Sequence, residues 1–534
     1  MSNLTAKLTP KQQEMIAAYA DNSIKFKRYP NRGDMRDLGF SRDAIRAAFG
    51  SLERLKSLAK KKYAKSFEGI TEERLFSPKK QALLKQALKG KTFVITTAVE
   101  NAPVHKAFLA SIDTFLKKQN AQLLILPSGS DALSMDEAIA DRNWIFEDTS
   151  LNSNIWISAV KIPPKTKNPL DGLGEIGQRD GSLIAASPRQ ALEFIDVGAE
   201  KFGHAIMTTG AITLARFSNK KGIVSKQDYI ANHDHTIGAV IIEIVDDNKY
   251  HFRQIQADAK GHFYDLGVKY MPKNKTLKEA PIAMLWGDLH SGEVDPTARK
   301  ASREQMKLTG VRNIFWGDAF AGQSINHHEW DHNVTRAILA SRAQLNLRAE
   351  LKELAREIDD ITSDPNVDTL TIIESNHHDF LRSYLQRGWY MRDPHNFEIA
   401  HTLAAAMVQG INPLQYAIEK VIGIKFPKKV KWLKRDQDVK AAGVQMGQHG
   451  DRGAKGSKGS KRTLSRGYGR IMHGHTHSPY IYRDVFCVGT NSVLRPPFVE
   501  GASSWVHCNG FVYKSGMCQM INSFNGEWRD RRKQ

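Results

Sequence analysis

Five short polar signals in the second half of the chain hold residue types that can do chemistry. They are Gly287-Asp288-Leu289-His290, Gly317-Asp318, Asn376-His377-His378-Asp379, Gly447-Gln448-His449 and His473-Gly474-His475-Thr476-His477. Asp288, His290, Asp318, Asn376, His449, His475 and His477 together offer a mixed oxygen and nitrogen donor set. Such a set suits borderline divalent ions such as Mn, Fe or Zn, and not calcium. It is too large for one tetrahedral ion and sufficient for two, with one carboxylate as a bridge. Two ions held about 3.5 to 4 Å apart clamp the attacking and leaving oxygens of a phosphoryl displacement. In Asp288-x-His290 and His475-x-His477 an extended backbone would turn both side chains to one face, because the strand period is 2.

These signals mostly follow apolar, strand-like runs: Pro281 to Trp286, Val311 to Trp316, Leu370 to Ile373, Val444 to Met446 and Ile471-Met472. Sheet proteins of the α/β type place their sites at the C-terminal ends of strands. The spacing of Asp288 and Asp318 suits one strand-helix-strand crossover. Three regions are predicted. Residues 1–90 read as a basic helical unit, with a helix from Pro10, a short one over 34–38, a turn at Gly39, and Ser41 capping Arg42 to Phe49. This resembles a helix-turn-helix, followed by Lys60, Lys61, Lys62 and Lys65. Residues 91–280 read as an α/β domain of unknown role, opening with a strand at Thr92 to Thr97, a helix at Val104 to Leu116 and a strand at Ala121 to Pro127. Residues 281–534 hold the five signals. The predicted class is α/β (α+β).

The ordered series GDLH, GD, NH, H and GHTH resembles the calcineurin-like metallophosphoesterases over roughly residues 281 to 490. That resemblance implies a β-sandwich flanked by helices. It implies that Asp288, His290, Asp318 and His477 hold one metal, and that Asp318, Asn376, His449 and His475 hold the other, with Asp318 as the bridge. His377 would be the acid that assists the leaving oxygen. Two departures stand out: Ser375 replaces the usual glycine before Asn-His, and His378 displaces the expected acidic residue to Asp379. The whole chain is also similar to the DNA-transfer proteins of tailed phages, which act early in host DNA degradation and in completing phage DNA entry. This implies a manganese-dependent DNase in the host cytoplasm, with self-assembly into a homo-oligomer.

The bulk numbers narrow the substrate. Among 534 residues, 77 are basic and 57 acidic, a formal charge of +20 that attracts polyanions, nucleic acid first. No apolar run approaches the ~20 residues that span a bilayer. The start MSNLTAKLTPKQQEM has no apolar segment of a secretory signal. The three cysteines, Cys487, Cys508 and Cys518, fit no zinc knuckle, and a reducing cytoplasm is expected. Lys428, Lys429, Lys431, Lys434 and Arg435 form one basic run. Residues 447–462 read as a mobile Gly/Ser/Lys loop between His449 and His475, and Lys455, Lys458, Lys461 and Arg462 there are predicted to contact a phosphate backbone. Trp432 and Tyr468 are candidates for base stacking.

Rival readings exist. His328-Glu329-Trp330-Asp331-His332 matches the HExxH helix of zinc proteases but leaves the five signals unexplained. A phosphomonoesterase or protein phosphatase would use the same two-metal core, and a non-catalytic DNA binder would need none of its ligands. Gly90-Lys91-Thr92 echoes a P-loop, but Lys85 stands where its first glycine belongs. Gly172-Leu173-Gly174-Glu175-Ile176-Gly177 matches a dinucleotide fingerprint but follows a Pro-rich loop rather than a strand.

Overall fold

The computed structural model describes residues 8–26, 35, 38–49, 52–63, 91–128, 135–198, 203–217, 224–496, 499 and 501–530. At the start, Pro10–Phe26, Arg42–Phe49 and Leu52–Lys62 pack around Met15, Ile16, Tyr19, Ile45, Phe49 and Leu55. Ser41 does cap the second of these helices, its Oγ accepting from the Ala44 amide at 3.1 Å. Of the short helix expected over 34–38, Met35 and Leu38 are among the described residues; Lys65, Lys85 and Gly90 lie outside them.

The rest is a mixed α/β body with its sheets packed face to face. A six-stranded sheet runs Val430–Trp432, Thr369–Ile372, Asn313–Trp316, Ala283–Trp286, His507–Val512 and Cys518–Ser523. Its first four strands run parallel, His507–Val512 runs opposite to them, and Cys518–Ser523 pairs antiparallel with His507–Val512. Helix Pro296–Thr309 makes the crossover between Ala283–Trp286 and Asn313–Trp316, as the spacing of the two aspartates predicts. It is capped by Asp295, has Pro296 at its first turn, and ends at Gly310 with φ +75°.

Alternation along the strands builds two cores. Met284, Trp286, Ile314, Trp316, Leu370 and Ile372 point toward the helices, where Leu347, Leu351, Leu354 and Ile358 of Leu347–Thr362 meet them. Leu285, Phe315 and Met520 point the other way, onto Val444, Met472, Ile481 and Phe486 of a ten-stranded sheet and onto Met446 just past one of its strands. Phe93, Ile95 and Val240 of a five-stranded sheet join this second core. The opening βαβ unit forms as predicted, with Thr92–Val99 parallel to Ala121–Ser128 and Lys106–Gln119 packed over them.

The boundary expected at residue 280 does not separate two sheets. Strands Thr149–Asn152, Ile155–Ser158, Ser182–Ala185, Ala191–Ile195 and His204–Thr208 belong to the same ten-stranded sheet as Val444–Gln445, Ile471–His473, Tyr480–Tyr482 and Val485–Cys487. The seam is the antiparallel pairing of Ile481 with Leu192. A second tie is the buried Arg253, whose guanidinium donates to Asp265 at 2.6 Å and Glu243 at 2.7 Å. Asp265 also accepts from Gln519 at 2.9 Å, and Glu243 accepts from the Asp530 amide at 2.8 Å. Strand runs were legible in residues 91–280, but hydrophobic period does not reveal which sheet a strand joins.

Candidate metal centre

The seven donor residues lie on turns and a helix start just past strand ends of the two facing sheets. Asp288 and His290 follow Ala283–Trp286, Asp318 follows Asn313–Trp316, and Asn376 opens the helix Asn376–Gln386 after Thr369–Ile372. From the opposite sheet, His449 follows Val444–Gln445, and His475 and His477 follow Ile471–His473. The fold thus brings all seven together.

The geometry centres on Asp318. One donor atom each from His290, Asp318 and His477 lie within 4.8 Å of one another, and so do one each from Asp318, His449 and His475. Asp318 Oδ2 stands 3.1 Å from His449 Nε2 and 3.7 Å from His290 Nε2. His290 Nε2 and His477 Nε2 are 3.0 Å apart, and Asp288 Oδ2 is 3.4 Å from His477 Nε2. His475 Nδ1 lies 3.1 Å from Asn376 Oδ1. His449, met in the sequence as a lone loop histidine, is only 2 % exposed.

Burial without partners marks these groups. Asp288 Oδ1, Asp318 Oδ1 and the Nδ1 atoms of His449 and His477 are buried with no hydrogen-bond partner, and His449 Nε2 has only the Asp318 carboxylate at 3.1 Å. Such atoms cost free energy unless something satisfies them. Burial pushes the Asp288 carboxyl up to about 7. It pulls His477 down to about 3 and His475 to about 4, and holds His290 well below its usual range. Burial alone would also lower His449, but the carboxylates Asp318 and Asp288 outweigh it and raise it to about 9. Burial opposes ionisation of Asp318 too, yet His449 and His377 beside it hold its carboxyl well below the usual range. Neutral His290, His475 and His477 around an ionised Asp318 are in the protonation states that donate lone pairs to a divalent cation, whereas His449 must first give up its proton.

The extended geometry expected of Asp-x-His and His-x-His does not form. His290, His475 and His477 have φ of +49°, +80° and +56°, and Asp318 has +35°. These pairs lie beyond the strand ends, where the chain must turn sharply to aim successive side chains at one point. Left-handed backbone at non-glycine residues costs about 1–3 kcal/mol each and gathers at functional sites.

The adjacent histidines differ. His377 Nδ1 donates to the Ala321 carbonyl at 2.6 Å, and its ring sits 4.4 Å from that of His290. His378 turns away, its Nδ1 accepting from the Ser375 amide at 3.4 Å, and burial draws it down to about 3.

Other predicted contacts fare unequally. Lys455, Lys458 and Arg462 are exposed, but Lys461 pairs with Glu193 at 2.5 Å and lies over the Tyr480 ring at 4.9 Å. Lys461 is therefore already engaged by the neighbouring strand. The stretch read as a Gly/Ser/Lys loop is irregular apart from a short turn at Ala454–Gly456, and its last two residues open helix Lys461–Tyr468. Its first turn borders a cavity of about 480 Å³ shared with His473, Thr476 and Tyr480. Trp432 is half-buried in an edge strand against the core, and Tyr468 donates to Gln448 at 3.3 Å. The HExxH string runs through turns; its helix begins at Asn333, so His328 and His332 do not share a helix face. His327 packs on Phe380, which in turn packs on His377.

Two glycines escaped the sequence reading, although they stand inside its motifs. A Cβ on Gly474 would lie 2.2 Å from Asp288 Oδ1, and one on Gly317 would lie 2.8 Å from both Asp288 Oδ1 and His449 Nδ1. Trp505, which no motif flags, sets its ring edge-on to His477 at 4.2 Å.

No profile of a known protein family matches the chain, and no solved structure matches it. The chain is similar to Protein A1 of Escherichia phage T5, with 27% identity over 474 residues that make up 82% of this chain and 83% of that protein. Over most of its length, then, this chain resembles a phage protein.

Proposed function

We propose that this chain is a two-metal phosphodiesterase of the calcineurin-like kind that acts on DNA, with Mn as the first choice of ion and Fe or Zn as alternatives. The observation that carries the reading is Asp318 shared between two donor groups whose members are buried, apart from half-buried His475. The buried, unpartnered atoms of Asp288, Asp318, His449 and His477 fit a site that divalent ions complete. Asp288, His290, Asp318 and His477 would hold one ion, and Asp318, Asn376, His449 and His475 the other. Bound there, the two ions supply Lewis-acid neutralisation of the charge that builds on the phosphoryl oxygens.

The chain's own groups do the rest. His377, fixed through Nδ1 on the Ala321 carbonyl, presents Nε2 as the proton donor to the leaving oxygen. His378 is turned to its own helix start and takes no part. Exposed Lys455, Lys458 and Arg462, between His449 and His475 in sequence, supply contacts to a phosphate backbone. The charge of +20 favours a polyanion over a small monoester or a protein. Likeness to a phage protein fits a part in host DNA degradation and phage DNA transfer in the host cytoplasm.

The test compares plasmid DNA, linear DNA and a small chromogenic phosphodiester under metal control. Chelator is expected to abolish cleavage of all three, and Mn to restore it. Robust DNA cleavage in excess chelator would refute the metal-dependent reading. Hydrolysis of a phosphomonoester without cleavage of DNA would move the assignment to a phosphomonoesterase.

A further inference from the structure

We infer that Arg435 is the positioning residue for one of the two metal positions, the one served by Asn376 and His449, and not for the other. This rests on the two-metal reading above. Arg435 follows the edge strand Val430–Trp432, and only 12 % of its side chain is exposed. Its Nη1 donates to the Glu374 carbonyl at 3.0 Å and to Asp451 Oδ1 at 3.0 Å. Its Nη2 faces Asp451 Oδ2 at 2.9 Å and also pairs with Asp379. Its main-chain amide donates to Glu374 Oε2 at 2.6 Å. Glu374 and Asp379 flank Asn376, and Asp451 follows closely on His449.

One guanidinium therefore grips two of the three segments that deliver this position's own ligands, those bearing Asn376 and His449. The grip is needed because the segments come from different sheets. Asn376 follows a strand of the six-stranded sheet and His449 a strand of the ten-stranded one, and no strand pairing joins those two strands. In the other position, Asp288 is tied without Arg435: its carbonyl accepts from Thr490 Oγ1 and the Asn491 amide, each at 2.8 Å, and its Oδ2 accepts at 2.6 Å from the amide of His475, which holds that third segment in place. Arg435 makes none of these. Its planar fork reaches two carboxylates and a carbonyl at once, which an ammonium cannot reproduce.

The experiment measures Mn binding to the metal-free full chain by equilibrium dialysis, with backbone amide exchange beside it. In wild type, two ions bind. In Arg435→Gln, one is expected to keep its affinity while the other weakens about 10- to 100-fold, the range for residues that orient metal ligands. Arg435→Lys recovers only part of the loss. Amides of 374–379 and 449–452 exchange faster, and those of 287–291 and 474–477 do not. If Arg435→Gln does not fold, Asp451→Asn removes one arm of the grip and is expected to weaken the same ion. Equal weakening of both ions, or of neither, overturns this inference and leaves the two-metal reading standing. Fewer than two ions in wild type overturns that reading itself.

Discussion

Replacing Gly474 with alanine tests how tightly the centre is built. The new Cβ would lie 2.2 Å from Asp288 Oδ1, 2.9 Å from its Cγ and 3.0 Å from Oδ2. An ordinary carbon–oxygen contact needs roughly 1 Å more, and the displacement cannot go into solvent, since Asp288 is 0 % exposed. Nor can the carboxylate swing freely, because Oδ2 accepts from the His475 amide at 2.6 Å. Either Asp288 or the turn bearing His475 and His477 must shift. A misplacement of about 1 Å at a reacting centre costs on the order of 100-fold in rate, or about 2.7 kcal/mol of barrier. Overpacking adds about 1–3 kcal/mol of lost stability. The assay is hydrolysis of a small chromogenic phosphodiester across a Mn titration, which separates lost affinity from lost turnover. Gly467→Ala is the control: it lies in helix Lys461–Tyr468 and its Cβ meets nothing within 4 Å. That variant should keep its rate and gain about 0.5–1 kcal/mol from helix propensity. Gly474→Ala with wild-type rate and unchanged Mn response would refute the claim that Asp288 is fixed by close packing at the site.

Two further outcomes follow from burial. His477 and His475 fold with pKa values lowered to about 3 and 4, so the stability they confer is present above about 6.5, their unfolded value, and is lost as pH falls toward 4 and 3. His449, raised to about 9, contributes below about 6.5 and loses that contribution as pH rises through 9. Urea midpoints in chelator should therefore fall on both sides, each group adding about 1.4 kcal/mol per pH unit within its window, and His449→Gln should flatten the alkaline limb. In the buried cluster at the sheet junction, Arg253→Gln leaves Glu243 and Asp265 without their cation and should cost about 3–5 kcal/mol in chemical denaturation, whereas Lys455→Gln on the exposed turn should stay within about 0.5 kcal/mol.

Much of the candidate centre was legible because the proposed two-metal chemistry would demand particular side chains at strand ends. Apolar runs such as those before Asp288 and Asp318 become parallel neighbours in one sheet, and the period of 2 correctly divides Met284 and Trp286 from Leu285. The backbone at His290, His475 and His477 was not legible, since a turn that aims two side chains inward leaves the same letters as a strand that alternates them. Arg435 was visible only as one charge in a basic run; its contacts depend on Asp379 and Asp451, which are distant in sequence and joined only by the fold. Lys461 shows the converse. Its place between two histidine signals suggested a substrate contact, but Glu193 of a strand far upstream already holds it.

The seam between Leu192 and Ile481 has a consequence for how the chain is made. Its partners lie 289 residues apart (481 − 192), so the strand Ala191–Ile195 leaves the ribosome long before Tyr480–Tyr482 exists. At about 5–20 residues per second that interval is roughly 15–60 s. Throughout it, the nascent sheet has an open edge able to pair with another chain. Slow synthesis, or a transcript cut short before Tyr480, would leave the first half of the protein with a sheet it cannot finish.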